Sequence, residues 1–222
     1  MAYYPIMVDL TGREVLVVGG GSVAGRKIET LLEYGAVVSV VSREMSPDVK
    51  THIDNGEVRY LGEEFSLVFL KDKFLVIAAT DDSELNHRIS LAAEAKGMLI
   101  NAVDQPADCN FIVPSIVKRG DLIIAASTSG KSPALAKKIR KQLTGYFGEE
   151  YDLFLRMMGR IRNEVLAQGL DQKNNSQIFH GIVESDLFKA LRENDFDGAA
   201  VILSGILERN ISANDIMEYI KE

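Results

Sequence analysis

An apolar run that breaks into glycine, Val15-Leu16-Val17-Val18-Gly19-Gly20-Gly21-Ser22-Val23-Ala24-Gly25, restricts this chain to few folds. A short buried strand, then G-x-G-x-x-A, then a helix places the pyrophosphate of a dinucleotide on a helix N-terminus. Gly19 permits the tight turn and Gly21 keeps a Cβ out of the phosphates' way. Ala24 lets the helix approach the strand. The context agrees: Arg26 to Tyr34 reads as a helix, Gly35 as its end, and Val37-Val38-Ser39-Val40-Val41 as a second strand. That is a complete strand-helix-strand unit in about 30 residues.

The acid that would bond the adenosine ribose is expected about 20 residues past the glycines, at the end of the second strand. The chain reads Ser42-Arg43-Glu44 there, with no acid at Ser42. Arg43 suits a 2′-phosphate and hence NADP, whereas Ser42 and Glu44 suit the ribose of NAD. The residues leave that choice open.

Strands and helices alternate to about residue 112, as in a parallel sheet. Glu57 to Tyr60, Phe74 to Ala79 and Met98 to Val103 read as strands, and Ser83 to Lys96 reads as a helix capped by Asp82 or Ser83. Ligands in such sheets sit beyond the carboxyl ends of the strands. Gly19 to Ala24, Thr80 to Asp82 and Asn101 to Asp104 are therefore expected at one site. Phe111 to Ser127 reads as a β-hairpin turning at Arg119-Gly120-Asp121, outside the parallel pattern. Ser132-Pro133 then starts a helix, Ala134 to Leu143. From Glu149 the pattern is helical, with Phe154, Met157, Met158, Ile161 and Val165 at helical spacing. Gln168 to Ser176 reads as a polar connection, followed by helices at about 184 to 193, 195 to 207 and 212 to 221. The expected architecture is α/β: a Rossmann-type dinucleotide-binding domain over 1–112, a hairpin and helix over 113–148, and an all-helical domain over 149–222.

No run of 18 apolar residues is present, and Met1-Ala2-Tyr3-Tyr4-Pro5 has neither a basic nor an apolar leader pattern, so no membrane role and a cytoplasmic location are expected. Cys109 is the single cysteine, and with His52, His87 and His180 it forms no metal-ligand spacing. No metal site is expected. A net charge of −7 argues against a nucleic-acid partner. Between Val113 and Tyr146, however, seven basic residues stand against Asp121 alone, a local +6. Such a patch on an acidic protein points to a polyanionic small molecule. Lys137, Lys138, Arg140 and Lys141 also fit an ordinary solvated helix face. Lys131 differs, because it lies in the loop Ser127-Thr128-Ser129-Gly130-Lys131 at a helix start, where amides face anions.

Asp104 is the candidate for proton chemistry, since it follows a buried strand at the nucleotide edge. The competing role is to shape the turn before Pro106. His87 reads as a packed or surface residue, and Cys109 as a small buried one.

The residues that carry a resemblance run in order over about residues 3 to 145: Tyr4-Pro5-Ile6, Val17 to Lys27, Ala78-Ala79-Thr80-Asp81-Asp82, Asn101-Ala102-Val103-Asp104, Cys109 to Pro114, and Ser127 to Ala136. In these the chain resembles the precorrin-2 dehydrogenases of siroheme biosynthesis, including the N-terminal half of siroheme synthases and the bifunctional dehydrogenase/ferrochelatases. The resemblance implies NAD-dependent oxidation of precorrin-2 to sirohydrochlorin by a homodimer joined through the second and third segments. It places the general acid/base on Asp104 and cofactor contacts on Ser22, Val23, Arg43 and Glu44. These join Gly19, Gly21, Ala24, Thr80, Asp81 and Asn101 as the expected NAD-binding set, and Ser127 to Lys131 as the loop for the tetrapyrrole's carboxylates. The expected cleft has the glycine turn on one wall, and Asp104 and the Lys131 loop on the other. Gly25 departs from the Glu that many relatives carry, at a place where the helix start depends on it. Two alternatives are insertion of Fe²⁺ or Co²⁺ into sirohydrochlorin by the same chain, and a non-catalytic NAD(H) sensor.

Overall fold

A computed structural model describes residues 3–221. Met1 and Ala2, part of the stretch read above for a leader, and Glu222, the end of the helical segment, lie outside them. The chain divides into two compact units, Met1–Val113 and Pro114–Glu222.

The first unit runs β1 (Glu14–Val18), α1 (Ser22–Glu33), β2 (Val37–Val41), α2 (Pro47–Asp54), β3 (Val58–Gly62), β4 (Leu75–Ala78), α3 (Ser83–Glu94) and β5 (Leu99–Ala102). The strands form one parallel sheet in the order β3-β2-β1-β4-β5. β1 is the middle strand, and its residues alternate between two cores. Val15 and Val17 pack with Ala24, Ile28 and Leu31 of α1, while Leu16 and Val18 pack with Ile89 and Ala93 of α3. Burial on both faces explains why β1 and β4 read as unbroken apolar runs. The order reverses between β1 and β4, and that reversal opens the crevice in which sheets of this type bind ligands.

α1 begins at Ser22 rather than Arg26, because the glycine turn runs directly into the helix with Gly21 as its N-cap. Gly25 does not disturb that start. Its N–H donates to Gly21 O at 2.9 Å, and the position faces Ser46 and Val49 across a close helix contact. α2 had no counterpart in the sequence reading. Its signals are slight: Ser46 at the N-cap, Pro47 in the first turn, and one buried residue, Val49.

The second unit opens with an antiparallel hairpin, β6 (Ser115–Arg119) and β7 (Leu122–Ala126), turning at Gly120-Asp121 as expected. α4 (Pro133–Tyr146), α5 (Glu150–Ala167), α6 (Gln172–Val183), α7 (Leu187–Arg192), α8 (Phe196–Leu207) and α9 (Ala213–Ile220) follow. Phe154, Met157, Ile161 and Val165 of α5 are buried against Ile182, Leu187, Leu191, Leu203 and Ile216. α6 corrects the reading of Gln168 to Ser176 as a connection. Asp171 accepts from Asn174 N at 2.8 Å to cap it, and Ile178, Phe179 and Ile182 supply its apolar face. The helix expected at about 184 to 193 is the shorter α7.

One buried charge is set into this core. Glu150 is 5% exposed, and Arg192 donates to its Oε1 through Nε at 3.0 Å and Nη2 at 2.6 Å. Burial pushes the Glu150 carboxyl up, but the bonds from Arg192 and from the Glu150 and Gly148 amides outweigh it and hold the group below its ordinary value. A group lowered in this way stabilises the fold above its unfolded pKa, and the contribution fades as pH falls through the folded one. Arg192→Ala strands the carboxylate. The melting temperature of the variant should fall by several degrees at pH 7, and its deficit against the parent should shrink as pH drops through the carboxylate range. A constant deficit across that range would rule out the charge pair as the cause.

Candidate functional site

A cavity of about 640 Å³ lies at the carboxyl ends of β1, β2 and β4. Its lining includes Gly19, Gly20 and Gly21 from the first turn, Arg43 and Glu44 beyond β2, and Thr80 and Asp81 beyond β4. Six of the sequence-predicted site residues thus meet there: Gly19, Gly21, Arg43, Glu44, Thr80 and Asp81.

The three glycines do different work. Gly19 has φ +115° and a Cβ there would overlap the Ala79 carbonyl, so β1 and β4 can only close on glycine. At Gly20 a Cβ would meet Glu44 O at 2.6 Å. At Gly21 a Cβ would meet nothing within 4 Å, so the position opens onto space rather than onto protein. Gly21 also caps α1 without any side-chain hydrogen bond, whereas Ser46 and Asp82 supply side-chain caps to α2 and α3. Among the described residues the first amides of α1 therefore have no intrahelical or side-chain partner. Unpartnered amides at a helix N-terminus beside open space match the needs of a dinucleotide pyrophosphate. Ser22 and Val23 lie in that first turn, Val23 36% exposed, while Ala24 is buried between α1 and β1.

The Thr80 end is fixed by a side chain that the sequence reading passed over. Asn86 is 2% exposed; its Oδ1 accepts from Thr80 Oγ1 at 2.8 Å and from Thr80 N at 3.3 Å, and its Nδ2 donates to Thr80 O at 2.9 Å. A polar residue inside an amphipathic helix gives no sign of such a partner in advance. Asp82 caps α3 as expected, accepting from Glu84 N at 3.0 Å and Leu85 N at 2.9 Å.

Asn101 is not brought to the cavity. Its amide donates to Phe111 O at 3.1 Å and lies 3.6 Å from Cys109 Sγ, which ties β5 to the segment leaving the sheet. Asp104 is exposed, two residues past β5, with φ +60°. Left-handed backbone is rare outside glycine, and Asp tolerates it better than most residues. The turn is held from within by Cys109: its sulfur accepts from Ala102 N at 3.2 Å and faces Ala102 O and Gln105 O at 3.2 and 3.3 Å. Burial pushes the Cys109 thiol up, so it is a poor nucleophile. His87 pairs with Asp108 at 2.6 Å.

In the second unit, Ser127 to Lys131 form the loop between β7 and α4. Ser129 and Gly130 have positive φ, Ser127 Oγ accepts from Ser129 N at 3.0 Å, and Thr128 Oγ1 accepts from Ser132 N at 3.1 Å. Two of the hydroxyls expected to meet ligand thus also brace the loop. Lys131 is exposed, as are Lys137, Lys138, Arg140 and Lys141. Among the described residues no group of three or more His, Cys, Asp or Glu is placed to hold a metal, and no helix is long and apolar enough to cross a membrane.

Residues 6–115 match a family described as putative NAD(P)-binding, and residues 119–146 match one described as sirohaem biosynthesis protein central. Siroheme synthase 1 of Serratia proteamaculans is 41% identical over 165 residues, covering 74% of this chain and 35% of that protein. Siroheme synthase of Nitrosococcus oceani is 35% identical over 218 residues, covering 98% of this chain and 46% of its own length. The chain thus spans less than half the length of these curated relatives. The solved structure of SirC, precorrin-2 dehydrogenase, superposes with a TM-score of 0.77 at 27% identity, covering 93% of this chain and 100% of that one.

Proposed function

Because this chain belongs to the precorrin-2 dehydrogenase family, which includes the N-terminal part of siroheme synthases, we propose that it oxidises precorrin-2 to sirohydrochlorin. The carrying observation is the uncapped first turn of α1, opening at Gly21 onto the cavity between β1 and β4. NAD is the nucleotide, and when bound it supplies a hydride acceptor. The oxidation removes two hydrogens from the substrate, one as hydride and one as a proton.

The chain's own residues bind, orient and move the proton. The amides at Ser22 and Val23 receive the pyrophosphate, where the helix dipole favours negative charge. Gly19 and Ala24 let β1, β4 and α1 close tightly enough to keep that turn rigid. Thr80, locked through Asn86, and Asp81 line the cavity beyond β4. Asp104 takes the proton released as the macrocycle is oxidised. Its exposed carboxylate can pass that proton on to water.

Ser127, Thr128, Ser129, Gly130 and Lys131 receive substrate carboxylates, with Lys131 supplying the charge. A two-stranded ribbon has two open edges and little core of its own. Leu135 and Tyr146 of α4, in the same segment, are 48% and 71% exposed. A second copy of the chain covers this segment in a homodimer, and a monomeric mass in sedimentation would remove that assignment. The reaction runs in the cytoplasm, where the free thiol of Cys109 stays reduced.

Anaerobic incubation with precorrin-2 and NAD should produce NADH and sirohydrochlorin in equal amounts, followed by absorbance. Absence of turnover with either NAD or NADP would overturn the reading. Metal-free sirohydrochlorin with Fe²⁺ and no nucleotide tests the chelatase reaction in isolation.

A further inference from the structure

The end of β2, where the adenosine ribose lies in this fold, lacks its usual acid. An acid arrives there from another strand. β2 and β3 pair regularly from Val38 with Val58 to Val40 with Tyr60, but Val41 then pairs with Gly62, leaving Leu61 as an extra residue. Gly62 has φ +135° at this bulge. Bulges re-aim the chain that follows them, and here the chain continues as Glu63-Glu64, both of which line the cavity. Arg43 Nη2 donates to Glu64 Oε1 at 2.6 Å. Glu44 also lines the cavity, so this end carries three carboxylates, of which Glu64 holds the Arg43 guanidinium. The other arginine of the lining, Arg88, comes from α3.

We propose that Glu64, carried to the β2 end by the β3 bulge, makes this site select NAD over NADP by engaging Arg43. The inference rests on the cavity being the dinucleotide site. Arg43 is the residue through which a 2′-phosphate would be held. With Glu64 bound to it, and with Glu44 and Glu63 in the same cavity lining, a phosphate dianion meets net negative charge. The Arg43 and Glu64 side chains are 71% and 75% exposed, so the pair adds little to stability. Its consequence is electrostatic discrimination between two cofactors that differ by one phosphate.

The test measures NAD and NADP dissociation constants by calorimetry for the parent chain, Glu64→Gln, Glu64→Ala and the double variant Arg43→Ala/Glu64→Gln. Neutralising one carboxylate and freeing one guanidinium within a few ångströms of the phosphate should lower the NADP-to-NAD ratio of constants by about fivefold or more. Both single variants should do this, and the double variant should return toward the parental ratio, because no guanidinium remains to be freed. A ratio unchanged in both single variants, or a parent chain that binds the two nucleotides equally, overturns the proposal. A parent chain that binds neither overturns the nucleotide site itself, a result separable from the first by the absence of any binding heat. Melting curves check that each variant folds.

Discussion

Asp104→Asn should lower kcat for NADH formation from precorrin-2 by roughly a hundredfold to ten-thousandfold, the weight of a positioned general base, while NAD binding persists. Asn is the informative replacement. Asp104 sits at φ +60°, which Asn adopts with little strain, whereas alanine there adds a backbone cost of about 1–2 kcal/mol. Asn keeps the size and the turn and removes only the ability to take up a proton. A loss seen in Asp104→Ala alone would point to the turn, not the carboxylate. Near-normal turnover by Asp104→Asn would end the assignment and leave Asp104 the role of shaping the bend before Pro106. Cys109, bonded to both flanks of that bend, should keep the loop in place in either variant.

The second large effect separates binding from folding. Gly21→Asp should weaken NAD binding by roughly tenfold to a hundredfold, comparable to losing a charge-assisted hydrogen bond of ~1.5–3 kcal/mol, without lowering the melting temperature. Gly21 has φ −72° and ψ −178°, an extended conformation open to any residue, and an added Cβ meets nothing within 4 Å. Asp is moreover a favoured N-cap, so its carboxylate would take the amides of α1 that a pyrophosphate needs. The same substitution that completes the helix closes the anion site. Gly19→Ala is the contrasting variant. At φ +115° and against the Ala79 carbonyl it should destabilise the first unit outright. Retained NAD affinity in Gly21→Asp would show that the first turn of α1 does not hold the phosphates.

Much of the first unit was legible because its signals are local. Four consecutive buried residues, a glycine turn and a helical period lie within one stretch, and Asp82 announces α3 through a bond that spans three residues. α6 was not legible: its first half, Gln172 to Ser176, is polar, and its apolar residues gain meaning only from the α5 and α8 surfaces they cover. The partner of Asn101 was hidden for a related reason. The asparagine's type and place at a strand end fit a ligand contact, but Phe111 O, ten residues on, takes its amide.

The sequence by itself determined the strand-turn-helix that a dinucleotide requires, and the residue types around it, because glycine stereochemistry and apolar periodicity act over a few residues. The tertiary structure decided what stands at the β2 end. Glu63 and Glu64 lie some twenty residues from Arg43 along the chain, and only the parallel pairing of β2 with β3 and the bulge at Gly62 bring both to the same cavity and Glu64 to Arg43 itself. Charge at a site is a sum over neighbours in space, and sheet order selects those neighbours.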